Sequence, residues 1–96
     1  MILVTGATGP VGRETVRLLL AAGASVGAVT RDPARARLPA GTDVIGGDPS
    51  RPHTLTSRLH GVTAVLISPR AAGGATAELA SLAAGHGAER AVRDLG

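Results

Sequence analysis

Met1-Ile2-Leu3-Val4-Thr5-Gly6-Ala7-Thr8-Gly9-Pro10-Val11-Gly12-Arg13 opens the chain and decides how the rest of it reads. Met1 to Val4 is a short apolar run of the kind that forms a strand buried on both faces of a parallel sheet. The glycines at 6, 9 and 12 then mark a tight passage into a helix that runs on through Leu20. Each has a mechanical reason: Gly6 takes the dihedrals of the turn, Gly9 lets backbone approach a phosphate, and Gly12 lets helix and strand pack closely. The N–H groups of the first helical turn point at one spot with the positive end of the helix dipole behind them, which suits a pyrophosphate. Pro10 fits the first helical position, where no N–H is needed. The candidate phosphate-binding residues are therefore Gly6, Thr8, Gly9, Pro10, Val11 and Gly12. A P-loop would place Lys and then Ser or Thr directly after its last glycine. This segment continues Gly12-Arg13-Glu14, and the chain contains no lysine.

With 96 residues there is room for one small domain and no second core. A chain of this size buries about two-thirds of the surface it exposes when unfolded. The core must come from Val, Leu, Ile and Ala, because hydrophobic residues make up 44% of the chain and none is Phe, Tyr or Trp. The net charge of +3 rests on arginine alone, and dispersed arginines without aromatics on which bases could stack do not read as a nucleic-acid surface. Without cysteine there is no disulfide and no thiolate metal site. No charged leader precedes an apolar stretch, and no apolar run approaches the ~20 residues of a membrane span, so a cytoplasmic chain with no membrane partner is expected.

Further along, apolar runs and breakers alternate. The first helix spans about Pro10 to Ala22, with Val11, Thr15 or Val16, Leu19 and Leu20 toward the sheet, and ends at Gly23. Ala24 to Thr30 reads as strand two, Ala34 to Leu38 as a short helix, Thr42 to Gly46 as strand three, and Pro52 to His60 as a helix with Leu55 and Leu59 inward. Val62 to Ile67 reads as a buried fourth strand, and a helix from about Ala75 to Ala84 places Leu79 and Leu82 on its apolar face. Strands alternating with helices at short spacing give an α/β fold: a doubly wound, Rossmann-type parallel sheet of about four strands in the order 3-2-1-4. The glycine loop, Arg31, Asp48 and Ser68-Pro69 all fall at strand carboxyl ends, where such sheets bind ligands.

With those residues placed, the chain resembles the NmrA-like, atypical short-chain dehydrogenase/reductase family of NAD(P)-binding proteins. The matching text is VTGATGPVG at the opening, VTRDPARA after strand two, GDPSRPHTL after strand three and GVTAVLISP at strand four, so agreement runs from residue 1 to about 86. The resemblance implies a dinucleotide site, usually preferring NADP, in reductases of small carbonyl or quinone-like substrates or in redox-sensing regulators. It also implies that Asp48 lies against adenine, although an aspartate beside a proline is equally an ordinary turn residue. Ser68 stands where backbone and hydroxyl reach the nicotinamide side, or is a turn hydroxyl before Pro69. The family's usual Asp before a Pro in the third motif is Arg51 here.

Chemistry favours NADP over NAD. NAD-specific sites hold the ribose 2'-OH with a carboxylate at the end of strand two, about twenty residues past the loop. Here that position is Thr30 and Arg31 follows, and a guanidinium pairs bidentately with a 2'-phosphate. Arg35 or Arg37 would add to the same cluster, while Asp32 would repel the phosphate if it points inward. Arg13 reads as a solvent-facing helix residue, and His53, His60 and His86 as surface residues without clustered acids, so neither a catalytic nor a metal site is assigned.

Reductases of the wider superfamily commonly use a tyrosine general acid with a lysine four residues on, and this chain has neither. Residues 1–88 read as the NAD(P)-binding domain and 89–96 as a poorly packed tail, whose last six residues, Ala91–Gly96, alternate charge with apolar residues, as expected of a truncated or frame-disrupted relative. Strand four would then be an exposed edge through which copies associate into a homo-oligomer. Two functions remain open: the cofactor-binding part of an NADP-dependent oxidoreductase with an unassigned small-molecule substrate, or a non-catalytic NADP sensor. A remnant that binds nothing is a third.

Overall fold

Leu3 and Val4 are adjacent and fully buried, yet they belong to two different apolar clusters, one on each face of a single sheet. The computed structural model describes residues 1–92. In chain order it contains β1 (Ile2–Val4), α1 (Pro10–Ala21), β2 (Val26–Thr30), β3 (Asp43–Gly46), a 3-10 helix (Pro52–Arg58), β4 (Ala64–Leu66), α2 (Pro69–Ala72), a 3-10 turn (Gly73–Ala75), α3 (Thr76–Gly85) and β5 (Arg90–Val92). The sheet is parallel throughout, in the order β3-β2-β1-β4-β5. The order 3-2-1-4 expected from the sequence is therefore present, extended by one strand.

Side-chain alternation along the strands sorts the core. Val4, Val26 and Ala28 meet Val16 of α1 on one face, with Leu19 and Leu20 half-buried beside them. Leu3, Val29, Ile45 and Val65 meet Leu55 and Leu59 of the 3-10 helix and Leu79 and Ala83 of α3 on the other. Branched aliphatics and alanine therefore fill both layers without an aromatic. Val11, expected on the sheet-facing side of α1, is instead 55% exposed. It sits in the first turn of α1 and belongs to neither apolar cluster. Among the described residues no helix is long and apolar enough to cross a membrane.

Two expected helices differ from the structure. Residues 34–38 make no helix: Arg35 N–H donates to the Asp32 carbonyl at 3.1 Å and Ala36 N–H to Pro33 at 3.4 Å, giving a turn that does not propagate. A single turn lacks the length to offset helix nucleation, and Pro39 disfavours helical geometry at Leu38. The helix expected at 52–60 is 3-10, with Thr54 N–H bonded to Arg51 and Leu59 N–H to Thr56, while the Thr54 hydroxyl draws the Arg51 and Asp48 carbonyls into local bonds. Such hydroxyl bonds compete with the α-helical ladder.

The largest correction concerns the tail. Arg90–Val92 pairs with Ala64–Leu66, Glu89 N–H donates to Thr63 at 2.8 Å and Ile67 N–H to Val92 at 2.6 Å. β5 therefore covers the β4 flank that the sequence left exposed, and the sheet edges among the described residues are β3 and β5. Of the stretch read as disrupted, Ala91–Gly96, only Ala91 and Val92 belong to β5, a three-residue strand too short to show a period in the sequence. The remainder of the expected tail, 93–96, lies outside the described residues.

One buried hydroxyl ties the two central strand ends together. Thr5 is fully buried, its N–H and Oγ1 both donate to the Leu66 carbonyl (2.9 and 3.2 Å), and Oγ1 accepts from Ser68 N–H at 2.8 Å. Thr5→Val keeps the shape but removes the acceptor for a buried N–H, so urea denaturation is expected to show a loss of about 1–3 kcal/mol. An unchanged midpoint would mean that this tie carries no stability.

Candidate functional site

The glycine loop is built as the spacing requires. Gly6 has φ of +65°, and a Cβ there would stand 2.7 Å from the Ser68 Cβ. At Gly12 a Cβ would come to 2.1 Å from the Gly6 carbonyl oxygen and 2.8 Å from the Ala7 Cα, so α1 rests directly on the loop's backbone. Gly9 is different. It is the N-cap of α1 with φ −76° and ψ 169°, values open to any residue, and the nearest atom to an added Cβ is the Gly6 oxygen at 3.6 Å. The protein's own packing therefore does not demand glycine at 9, and the room above it faces outward.

No side chain caps the first turn of α1, Pro10 occupies its start, and no acidic residue lies in that turn. The helix's positive end is left uncompensated by its own chain. Arg13, read as solvent-facing, is exposed and its guanidinium folds back to the Thr8 carbonyl at 3.4 Å.

Above the loop lies a cleft of about 450 Å3 lined by Gly6, Thr8, Gly9, Pro10, Val11, Gly12, Arg31, Ser68, Arg70 and Ala71. Every residue proposed from the sequence for the site thus meets in one place except Asp48. A second cleft of about 470 Å3 adjoins it over β2 and β3, sharing Gly6, Thr8, Arg31, Arg70 and Ala71 and adding Thr30, Asp32, Pro49 and Ser50 among others.

Asp48 is turned into its own turn. Its Oδ1 accepts from the Ser50 hydroxyl at 2.6 Å and the Ser50 N–H at 2.9 Å, while its N–H donates to Thr54 Oγ1 at 2.9 Å. Those Ser50 bonds hold the carboxyl below its ordinary range, with Arg31 and Arg51 adding a weaker Coulombic pull. Its neighbours Pro49 and Ser50, rather than Asp48, line the second cleft. Asp32 is on that lining, but its carboxylate pairs with Arg35 at 3.5 Å, which offsets the charge it presents.

Ser68 is buried beneath the first cleft. Its Oγ accepts from Ala71 N–H at 3.4 Å and its carbonyl from Ala71 and Ala72, so it starts α2 as well as packing on Gly6. Thr5 and Arg70 escaped the sequence reading. A polar residue between an apolar strand and a glycine turn was the signal for Thr5. Arg70 stands two residues past Ser68, at the same end of the sheet as every other site residue. His60 and His86 meet edge to face at 5.7 Å, and among the described residues no three metal-ligating side chains gather.

A family model described as NAD(P)H-binding matches residues 6–93. The chain belongs to this NAD(P)H-binding family. It is 46% identical over 69 residues to an NAD(P)H azoreductase of Xenophilus azovorans, across 70% of this chain and 24% of the azoreductase. The crystal structure of an NADPH-dependent quinone oxidoreductase from Escherichia coli in complex with NADPH superposes with a TM-score of 0.80 at 28% identity, covering 97% of this chain and 36% of that one. A Rossmann-fold NAD(P)-binding family protein from Shigella flexneri, at 18% identity, shares the fold with a TM-score of 0.74 over 94% of this chain and 48% of its own. The NAD(P)H-binding chain thus spans about a quarter of the azoreductase and about a third of the quinone oxidoreductase. The family agrees with the resemblance read from the motifs.

The residues present suit a dinucleotide: an uncapped helix start, outward room over Gly9 and a cationic rim. Gly12→Ala is expected to lower the melting temperature through overpacking of about 1–3 kcal/mol. Gly9→Ala should leave it nearly unchanged. Equal destabilisation by both would mean that the loop is packed against itself rather than open to a ligand.

Proposed function

We propose that this chain is the cofactor-binding domain of an NADPH-dependent oxidoreductase, taking NADP(H) in preference to NAD(H). The observation that carries the reading is Arg31, which lines both clefts at the end of β2 and forms no ion pair among the described residues. Thr30 occupies the place where a carboxylate would hold a ribose 2'-OH, and its Oγ1 accepts from Asp32 N–H at 3.2 Å. The amides at Val11 and Gly12 would hold the pyrophosphate over Gly9, whose own N–H donates to the Gly6 carbonyl at 3.2 Å, with Thr8 on its exposed side. Thr5 and Ser68 fix the loop against β4, and the fit of Ser68 on Gly6 sets the floor near which the nicotinamide would lie.

The bound nicotinamide would supply the hydride. A small carbonyl or quinone-like compound is the proposed acceptor, in keeping with the azoreductase and quinone oxidoreductase names of the relatives. This chain's part is to orient and neutralise the cofactor, because it holds no tyrosine or lysine to protonate the reduced substrate. That same absence favours the second reading, a sensor that binds NADP without turnover. NADPH consumption with a panel of quinones and aldehydes separates the two.

Calorimetric titration tests the cofactor assignment. Arg31→Ala is expected to weaken NADP binding about tenfold to a hundredfold while changing NAD binding less than about twofold. An unchanged preference between the two cofactors would sink the assignment of Arg31.

A further inference from the structure

Two of the residues shared by both clefts are cations, Arg31 and Arg70. They arrive from opposite sides. Arg31 follows β2, Arg70 lies on α2 just past β4, and the sheet order places β1 with its glycine loop between those strands. A positive charge therefore stands on each flank of the loop's amides.

Among the described residues, no ion pair accounts for Arg70. The ion pairs among the described residues join Arg17 to Glu14, Arg35 to Asp32 and Arg58 to Asp43, and none takes Arg70. Asp32, the acid on the cleft lining, is thus already matched, and the Asp48 carboxylate is held by Ser50. Arg70 is exposed, and it faces space bounded by Gly6 and Thr8 in both clefts.

We infer that Arg70 is a second cofactor-binding residue, closing on the dinucleotide's pyrophosphate from the β4 side, opposite Arg31. This rests on the proposed function above. Both arginines line the space common to the two clefts, but Arg31 comes from the end of β2, the strand that selects between ribose substituents, whereas Arg70 comes from past β4, on the other side of the loop. The group there is the diphosphate, which NAD and NADP share. A guanidinium offers it a planar, bidentate pair of donors that an ammonium does not match. The two arginines divide the work: Arg31 sets which cofactor binds, and Arg70 sets how tightly either binds.

Calorimetric titration of the whole chain with NADP and with NAD, at two salt concentrations, tests this division. Arg70→Ala is expected to weaken both by a similar factor, about tenfold or more, with a shallower salt dependence and an unchanged NADP-to-NAD ratio. Arg70→Lys should recover part of the loss. Arg58→Ala, which removes the same charge far from the cleft, should leave both affinities as they were. Melting curves of each variant, expected to match the unmodified chain, separate loss of contact from loss of fold. The inference is overturned if folded Arg70→Ala binds both cofactors normally, if it weakens NADP alone, or if Arg58→Ala weakens binding as much. Failure of the unmodified chain to bind either cofactor would instead remove the proposed function itself, whereas normal binding by Arg70→Ala removes only the role of Arg70.

Discussion

A Cβ on Gly12 would lie 2.1 Å from the Gly6 carbonyl oxygen, and the rest of the site depends on that closeness. With no side chain between them, α1 starts immediately above the end of β1. Its unbonded amides then open over the sheet's carboxyl edge instead of over a packed turn. Gly6 reaches the turn with positive φ and accepts the Ser68 side chain against it, so the same loop is gripped from α1 on one side and from the β4 end on the other. Thr5 completes the grip through three hydrogen bonds to the β4 end. Rigidity here is functional: backbone donors held by surrounding packing lose little freedom when an anion meets them.

Charge follows the same geometry. The acids nearest the cleft are engaged locally, Asp32 with Arg35 and Asp48 with Ser50, and this leaves the rim cationic even though the chain carries seven acidic residues. The net charge of +3 says little about this. What matters is that Arg31 and Arg70 form no ion pair among the described residues and stand on either side of a helix N-terminus with no acid in its first turn.

The fold was legible wherever one local rule decided the outcome. Apolar runs bounded by glycine marked β1 to β4, and parallel crossovers set their order even though the β2–β3 connection forms a turn instead of the expected helix. The glycine triplet located the cleft because each position has a separate steric reason. Legibility failed where a stretch was too short or a residue had two readings. Glu89-Arg90-Ala91-Val92 is two charges followed by two apolar residues, a stretch too short to show strand periodicity, and only its pairing with β4 makes it a strand. Asp48 fits an adenine contact and an Asx turn alike, and the structure places its oxygen on Ser50. Arg70 was missed because a charge on a short helix carries no periodic signal, although its place just past a strand's carboxyl end does.

The central claim is that the amides of the Gly6–Gly12 loop receive the two linked phosphoryl groups of a dinucleotide. Amide chemical shifts followed by NMR during titration with NADP test it most directly. The account predicts that Val11 and Gly12, in the uncapped first turn of α1, move most, in a saturable way. Saturable shifts confined to other parts of the chain, or spectra that stay unchanged as NADP is added, would contradict it.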